Sequence, residues 1–414
     1  MLEKMKSAWR IPELRKKIIY TFGMLLLYRL LCCIPVPGVN IAAVSDAVKN
    51  FSVLDFMNMM TGGSFQNMTI MAMGITPYIN ASIILQLLTV AIPTLEKLAK
   101  EGPEGRKKIT EWTRYLTVAL AFIQAVGLVF AMRANSYGGI WYLVIGVSMA
   151  AGTSLAMWIG ERITENGIGN GISLLIMAGI VSNMFNWSRQ AVVGLVAGTV
   201  GIIAVLVVIL AFLVMIVAIT YVDMGERRIP VQYAKRMVGR KMYGGQSTHI
   251  PMKLNSTGVM PLIFGFAILQ FPATIFAFFP TSGINLWWQG FQSGVWYQVV
   301  LAVLIIAFTY FYTSITFNPI DISKNMQQNG GIIPGIRQGR ATTDYLARVS
   351  SRLTLFSALF LAVLATIPTI ITRLFGVSTP FAASSVLIAV SVGIETIRQI
   401  EAQMVMRHHK GFLG

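Results

Sequence analysis

Ten apolar runs, most of them about 20 residues long, recur along the chain between short polar segments. A run of this length crosses a bilayer as one helix, and backbone groups in lipid are satisfied only within helices or closed barrels. Charged residues make up 12% of the 414 residues, against about 25% in soluble domains. The sequence predicts an all-α polytopic membrane protein with spans at 18–35, 68–92, 115–132, 141–160, 170–186, 197–221, 257–279, 296–317, 349–371 and 381–399.

The distribution of basic residues predicts the orientation of these spans. With the N-terminus on the inner side, the inner segments hold 28 basic residues and the outer segments hold four. Lysine and arginine accumulate on the cytoplasmic side of membrane proteins, so both chain ends are predicted to be cytoplasmic. The net charge of +17 follows mainly from this bias, and acidic cytosolic partners are the other interpretation.

Ten spans divide into two halves of five, which we place at residues 18–186 and 187–399, with a cytosolic tail at 400–414. An odd number of spans per half makes the second half enter the membrane from the opposite side. This arrangement permits an inverted repeat, with the working site at the interface of the two halves.

Two segments of the first half lie outside the spans. Residues 1–17 are basic and predict a short amphipathic cytosolic helix, with Trp9 and Leu14 available to contact lipid. The segment 52–66 is too short and too polar to span a bilayer. It is either a re-entrant piece that folds back into the protein or an external surface loop.

The chain lacks the residues that an enzyme or an ion-coupled transporter uses. Glu161, Asp223 and Glu395 fall at or near span ends, whereas coupled transporters bind their ion at intramembrane carboxylates. No nucleophile–base pair, phosphate-binding loop or zinc-ligand spacing is present in the sequence. We therefore expect no catalytic activity and no cofactor. Arg29, inside the first span, is expected to pair structurally or to extend toward the interface.

Paired isoleucines occur at helical spacing in two of the spans. Ile75 and Ile79 are four residues apart in the second span, and Ile172 and Ile176 have the same spacing in the fifth. Residues at this spacing share one face of a helix. Their ordinary interpretation is core or lipid contact. The functional one is a narrow apolar constriction, whose stiff β-branched side chains exclude water and ions yet yield to a passing chain.

A long basic loop, 222–256, follows the sixth span. It contains GERRIPVQYAKR at 225–236 and Gly-Arg-Lys at 239–241. The loop is far longer than a connection between neighbouring helices requires. It predicts a cytoplasmic docking surface for a negatively charged partner, and solvated charges that only set the topology are the alternative.

Several motifs together resemble the SecY family, the central channel subunit of the bacterial protein translocase. The matching stretches are IPVPG (34–38), FMNMMTGGS (56–64), GITPYINASIILQLL (74–88), ERITENGIGNGIS (161–173), RRIPVQYAKR (227–236), QSTHIPMKLN (246–255) and NPIDISKNMQQNGGIIPGIRQGR (318–340). The chain departs from the family at Gln327-Gln328, where lysines are frequent, and at Gln338, where proline is usual. These departures bear on the conformation of that loop and on the strength of its contacts.

The resemblance implies a clamshell of two five-helix halves around an hourglass pore, with a plug at 53–64 that closes the external funnel. A lateral gate between spans 2–3 and 7–8 would carry Gln86 and Gln124. The implied pore ring is Ile75, Ile79, Ile172, Ile176, Ile263 and Ile388. The implied plug residues are Leu54, Phe56, Met57, Met60, Gly62 and Gly63.

The resemblance also implies function and partners. A SecY-type channel passes unfolded secretory polypeptides across the bacterial plasma membrane and releases hydrophobic segments sideways into the lipid bilayer. The implied partners are SecE-like and SecG-like small subunits, the SecA motor, the translating ribosome, signal peptides and nascent polypeptides. Docking would use the cytosolic loops 222–256 and 318–348. The implied docking residues are Arg227, Arg228, Lys235, Arg236, Arg240, Lys241, Arg337 and Arg340.

Two other functions remain open from the residues alone. A secondary transporter built from inverted repeats predicts a polar or ionisable site near the midplane of the membrane. A scaffold or insertase without a pore predicts that the isoleucines and the segment 53–64 are dispensable.

Overall fold

The computed structural model of the chain is a bundle of long helices with a small β-sheet at one end. The structure describes Trp9, Val44 and Asn58 and residues 11–41, 61–131, 139–198, 201–233, 236–238, 241–243, 247–277, 283–375 and 383–410.

A helix overlaps each of the ten predicted spans. The helices are α1 (Pro12–Leu31), α2 (Thr76–Ala91), α3 (Pro93–Lys100), α4 (Pro103–Ala131), α5 (Trp141–Asn166), α6 (Gly171–Val196), α7 (Ile202–Met224), α8 (Met260–Ala277), α9 (Gly283–Ser293), α10 (Val295–Thr316), α11 (Pro319–Gln328), α12 (Arg340–Phe375) and α13 (Ala383–Lys410). In the described part of the chain, six helices are long and apolar enough to cross a membrane, or seven if α2 and α3, which meet at 107°, form one bent span. The prediction of a helical polytopic membrane protein is confirmed.

The N-terminal amphipathic segment is not a separate helix where the structure describes it. Helix α1 begins at Pro12 and continues without a break to Leu31. Proline is favoured in the first turn of a helix, and the following Glu-Leu-Arg-Lys-Lys consists of good helix formers. Trp9 is exposed as expected, but Leu14 is only 2% exposed. Leu14 therefore packs inside the protein, and its predicted contact with lipid is wrong.

The second predicted span is shorter as a helix than its apolar run. Residues 61–75 form a series of turns, and α2 begins only at Thr76. Gly74 has a φ of 53° and Met68 a φ of 44°, conformations that interrupt a right-handed helix. The turns are buried, and their backbone is paired with residues 34–36: the Val36 N–H donates to the Met68 carbonyl oxygen at 2.9 Å.

Several helices extend beyond their predicted spans into polar sequence, α1 and α5 among them. Helix α4 begins at Pro103, α12 begins at Arg340, and α13 continues to Lys410. The predicted tail 400–414 is thus helical through most of its length. Hydropathy marks where a helix enters the bilayer, and it does not mark where the hydrogen-bonded helix ends.

The basic loop after α7 contains strands that the sequence analysis did not predict. Strand β1 (Glu226–Tyr233) pairs antiparallel with β4 (Ser247–Lys253) along its length and with the short β5 (Gly331–Ile332) at its end, so the sheet order is β4-β1-β5. A separate pair is formed by β2 (Arg236–Val238) and β3 (Lys241–Tyr243).

Two hydrophobic clusters each lie within one predicted half of the chain, although the predicted boundary at 186/187 falls inside α6. One cluster, with Val129 and Met149, lies in residues 18–186, and another, with Ile305 and Leu361, lies in 187–399. The halves meet where α6 packs on α13 and where α4 packs on α8. A third cluster draws its residues from both halves, so it lies at their interface.

Candidate functional site

The six isoleucines of the predicted pore ring lie in one hydrophobic cluster between the halves. Ile75, Ile176 and Ile388 are buried members of this cluster, and the other three are partly buried and packed against it. The first half supplies four isoleucines from α2, α6 and the turn before α2, and the second half supplies two from α8 and α13. The full set is Ile75, Ile79, Ile172, Ile176, Ile263 and Ile388.

The first turn of α6 is positioned from three directions. Asn170 is the N-cap, and its side-chain oxygen accepts hydrogen bonds from the backbone N–H groups of Ile172 and Ser173. The loop before it is tied to α1 through Thr21 and to α13 through Gln399, whose oxygen accepts from the Gly169 N–H at 3.0 Å. These bonds set the rotation of α6 and thereby aim Ile172 and Ile176 toward the interface.

The cluster leaves little free space. A gap of about 10 Å³ lies beside Ile75, Ile79 and Ile176. That is about the volume that one water molecule needs. The residues around it are Tyr28, Thr61, Ile75, Thr76, Ile79, Leu175 and Ile176. An apolar gap of this size is closed to hydrated ions.

The predicted plug is described only in part. Leu54, Phe56, Met57 and Met60 lie outside the described residues. Gly62 and Gly63 are described, with φ angles of 67° and 87°.

The turn that contains these glycines lies against the isoleucine cluster, because Thr61 lines the same gap as Ile75. Glycine suits positive φ because it lacks the Cβ atom that other residues would strain there.

The two predicted gate glutamines lie on neighbouring helices. Helices α2 and α4 pack together, and α4 also contacts α8 of the other half. Gln86 on α2 is exposed, whereas Gln124 on α4 is half-buried. The side-chain oxygen of Gln124 is shielded from solvent and has no hydrogen-bond partner among the described residues. An unsatisfied buried polar atom costs the packed state free energy.

The two basic loops form a single folded unit at the sheet end of the bundle. Strand β1 of the first loop pairs with β5 of the second. A hydrophobic cluster joins them, with Ile229 and Val231 from β1 packed with Met326, Ile333 and Leu346. Alternate residues of β1 face inward, as in any half-buried strand. The two loops were predicted as separate segments. The alternation of apolar and polar residues in Arg-Ile-Pro-Val-Gln indicates a half-buried strand and could have predicted their association.

Buried polar contacts attach this unit to the helices. Asn255, which follows β4, is 5% exposed. Its amide nitrogen donates to Asp223 Oδ1 at 3.3 Å, and its oxygen accepts from Ser357 Oγ at 3.1 Å. The bonds connect the end of α7, the end of β4 and the middle of α12. The orientation of the sheet is thereby coupled to the second half of the bundle.

Four of the eight predicted docking residues are exposed on this unit. Arg227 and Arg228 lie at the start of β1, and Arg337 and Arg340 lie in and after the turn between β5 and α12. Arg228 also forms an exposed ion pair with Glu226 at 2.6 Å, which contributes little stability. Lys235 and Arg240 lie outside the described residues, and for Arg236 and Lys241 only the strand backbone is described.

The turn that carries Arg337 is held by side chains. The Gln338 amide donates to the Gly331 carbonyl oxygen at 3.2 Å, and the Thr342 hydroxyl donates to the Arg337 carbonyl oxygen at 2.8 Å. Gln338 is one of the departures from the SecY pattern, and its amide supplies a bond that proline lacks. Gln327 and Gln328, the other departure, are exposed at the end of α11.

Two polar residues at the plug end of the interface were not identified as site residues from the sequence. Arg29 Nη2 donates to the Gly62 carbonyl oxygen at 3.2 Å, and Asn183 Nδ2 donates to the Asn58 carbonyl oxygen at 3.2 Å. The signal for Arg29 was its charge within an apolar span, since such residues are usually functional. Asn183 carried no comparable signal.

No metal centre is found in the part of the chain that the structure describes, where no group of three or more His, Cys, Asp or Glu residues could hold an ion. Two of the acidic residues near span ends lie close to helix ends in the structure. Glu161 pairs with Arg114 at 2.8 Å near the end of α5, and Asp223 lies in the last turn of α7.

Comparison with known proteins identifies the family. The SecY family model matches residues 69–397. The chain belongs to the SecY family. The SecY translocase subunit of Aquifex aeolicus is 42% identical over 427 residues, with all of both chains covered. This is a channel-subunit family and not a family of catalysts, as the sequence analysis predicted.

Solved structures show the same fold. A SecY structure described for the way its plug domain stabilises the closed state of the translocation channel has a TM-score of 0.69 and 21% identity, covering 94% of this chain and 92% of that one. The Sec61 channel in a canine ribosome–channel complex has a TM-score of 0.66 and 19% identity, covering 94% and 93%. In this SecY-family chain, the isoleucine cluster therefore lies within a fold shared with protein-conducting channels.

Proposed function

We infer that this chain is the channel subunit of a protein translocase, which passes unfolded polypeptides across a membrane and releases hydrophobic segments sideways into lipid. The observation that carries the inference is the cluster of six isoleucines, drawn from both halves of a SecY-family fold. A channel for arbitrary sequences needs an apolar constriction with no specific binding groups, and this cluster meets that requirement.

The six isoleucines act as the closing ring of the pore. Their side chains are stiff at χ1, and three of them, Ile75, Ile79 and Ile176, line a gap of about 10 Å³. An ion that entered this gap would lose most of its hydration, which is costly in an apolar site. A passing polypeptide would replace the contacts between isoleucines with contacts to itself, so the ring closes around it without specific recognition.

The segment 53–64 serves as a plug over this ring. Support comes from Thr61 and the adjacent glycine turn, which lie against the ring where the structure describes the segment. The related SecY structure whose plug stabilises the closed state adds to this support. The plug and the ring thus form two successive seals.

The lateral gate lies between spans 2–3, which are α2 and α4, and spans 7–8, which are α8 and α10. The packing of α4 on α8 provides a helix interface that can separate toward lipid. Gln86 and Gln124 lie on α2 and α4, and Gln124 carries the shielded, unsatisfied oxygen described above. A hydrophobic segment leaving through this gap would enter the bilayer directly.

The folded unit of the two basic loops docks the translating ribosome or the SecA motor. Exposed arginines suit phosphates and acidic side chains because the guanidinium group binds them in a bidentate manner. Two related channel complexes, the canine Sec61 and the yeast Ssh1 complexes, are bound to ribosomes. SecE-like and SecG-like subunits, a bacterial plasma membrane and cytoplasmic chain ends complete the proposal.

The docking role predicts that Arg337→Ala together with Arg340→Ala weakens binding of the ribosome or the motor, more strongly at low salt than at high salt. Binding of the reconstituted channel complex would be measured by sedimentation at two salt concentrations. Arg162→Ala is the matched control, because Arg162 is an exposed arginine outside this unit. Equal losses in both variants would contradict the assignment of this surface.

The function itself is tested by transport in reconstituted vesicles. Vesicles with the chain, its small subunits and the motor should protect a secretory polypeptide from added protease when ATP is supplied. Vesicles prepared without the chain serve as the control. Equal protection in the control would refute the channel function, and uptake of a small solute without protection of polypeptide would favour a transporter.

A further inference from the structure

The arginine within α1 is bonded to the backbone of the plug segment. Arg29 Nη2 donates to the Gly62 carbonyl oxygen at 3.2 Å. Its Nη1 is shielded from solvent and has no hydrogen-bond partner among the described residues. A charged group at this depth is costly, and among the described residues its hydrogen bond goes to a main-chain oxygen of a turn.

A second helix holds the same turn from another direction. Asn183 Nδ2 on α6 donates to the Asn58 carbonyl oxygen at 3.2 Å, and the Gly63 N–H donates to that oxygen at 2.9 Å. Asn58 also closes the turn on itself, since its Oδ1 accepts from the Gln66 N–H at 2.9 Å. The turn is therefore a compact unit attached to α1 and α6 by donors to its carbonyl oxygens.

The glycines of the turn show how closely it approaches Arg29. A Cβ atom at Gly62 would lie 2.7 Å from Arg29 Nη1 and 2.9 Å from the Gly179 carbonyl oxygen. A Cβ atom at Gly63 would have only Asn186 Nδ2 near it, at 3.9 Å. Both glycines have positive φ, so alanine would strain the backbone at either position, but only at Gly62 would it displace the guanidinium group.

We propose that Arg29 and Asn183 form a catch that holds the end of the plug in the closed channel, and that release of their two bonds to the Gly62 and Asn58 carbonyl oxygens is a step in opening. The proposal rests on the channel function inferred above. Because the catch binds main-chain carbonyls, release requires no change in the protonation of the plug and leaves both donors available to the next closure.

The catch predicts how a single substitution shifts the opening equilibrium. Loss of one charge-assisted hydrogen bond changes an equilibrium constant by about tenfold or more. Arg29→Met removes the donor and keeps a long side chain, so it should increase the released fraction of the turn by about tenfold. Arg29→Lys retains a charged donor and should have a smaller effect.

Thiol labelling at Ser64 measures the released fraction. Ser64 belongs to the turn and is 2% exposed, so the nearly isosteric Ser64→Cys places a thiol that reacts only when the turn moves away. Cys32→Ala and Cys33→Ala remove the native thiols. The channel complex with its small subunits, in lipid nanodiscs, would be treated with a water-soluble maleimide, and the labelling rate measured.

Matched controls separate the catch from general damage. Arg15→Met makes the same change at an exposed position of the same helix, and Gly63→Ala carries the backbone strain without the clash. A second reporter, Ser385→Cys on α13, is 1% exposed in the other half. We expect faster labelling at position 64 in the Arg29→Met and Gly62→Ala variants, a smaller increase in Gly63→Ala from the backbone strain alone, no change in Arg15→Met, and no change at position 385.

Three outcomes would overturn the proposal. These are unchanged labelling in the Arg29→Met variant, equal acceleration by Gly62→Ala and Gly63→Ala, or parallel acceleration at positions 64 and 385. Polypeptide transport by the parent protein in vesicles is measured alongside. Transport with unchanged labelling would reject the catch and leave the channel function standing, whereas absence of transport by the parent would reject the function itself.

Discussion

Replacing Ile79 and Ile176 together with glycine is expected to make the closed channel leak ions. Both side chains line the gap of about 10 Å³ in the isoleucine cluster, which has about the room for one water molecule. Each lost side chain is a branched butyl group, larger than a water molecule. The double substitution therefore opens a space that several waters can enter, and it converts a dry constriction into a wetted one.

The expected size of the leak follows from ion desolvation. Moving an ion into a dry apolar site in a protein costs several kcal/mol even after relaxation. If wetting removes about 4 kcal/mol of that barrier, conductance rises by roughly a thousandfold, at about 1.4 kcal/mol for each factor of ten. Even half of that reduction gives a rise of more than about tenfold.

Planar-bilayer conductance of the purified channel complex, without polypeptide substrate, is the assay. Glycine also weakens a helix, by roughly 1 kcal/mol per residue, so the control must carry the same cost. Ile84→Gly with Val181→Gly provides it, because these residues lie on the same two helices at exposed positions. If the resting conductance is unchanged in the Ile79→Gly, Ile176→Gly variant, or is raised equally in the control variant, the isoleucines do not seal the closed channel.

Two further predictions concern packing and the docking unit. Gly171→Ala should lower the free energy of unfolding by about 1–3 kcal/mol and with it the thermal midpoint, because its Cβ would clash with the Gly160 carbonyl oxygen. Gly23→Ala, whose Cβ would have nothing within 4 Å, should leave the midpoint unchanged. Equal midpoints of thermal unfolding for the two variants would contradict the close packing of Gly171 on Gly160. Asn255→Ala should lower the free energy of unfolding by about 1–3 kcal/mol, since it removes the bond to Ser357. It should also make the β1–β4 loop easier for a protease to cleave. Cleavage of the variant at the parental rate would contradict this role of Asn255.

The bundle could be predicted because lipid leaves the backbone few choices. Once the apolar runs were recognised, helices followed from the need to satisfy each backbone group within its own segment. The helix ends could not be read in this way. Leu14 is buried in α1, and Arg340 starts a helix well before the apolar run of α12, because tertiary packing and good helix formers continue a helix beyond the bilayer.

Helical spacing predicts some members of the isoleucine cluster and not others. Ile75 with Ile79, and Ile172 with Ile176, could be paired from helical periodicity alone. Ile263 and Ile388 have no isoleucine four residues away, and their place in the cluster depends on α8 and α13 packing against the first half. For these two residues only the family resemblance gave a prediction.

The catch could not be predicted at all, because its bonds join distant parts of the chain. Arg29 contacts Gly62 across 33 residues, and Asn183 contacts Asn58 across 125. Both bonds end on carbonyl oxygens, which every residue possesses, so no pattern of side chains announces them. The sequence could indicate only that a charge at Arg29 was out of place.

The measurement that tests the central claim most directly is site-specific crosslinking from the ring to a polypeptide in transit. A photoreactive residue would replace Ile79, and a secretory polypeptide would be stalled midway through vesicles that contain the chain, its small subunits and the motor. The account predicts a crosslink between position 79 and the stalled polypeptide. Crosslinks only to lipid or to neighbouring helices, while transport continues, would show that the polypeptide does not pass through this ring.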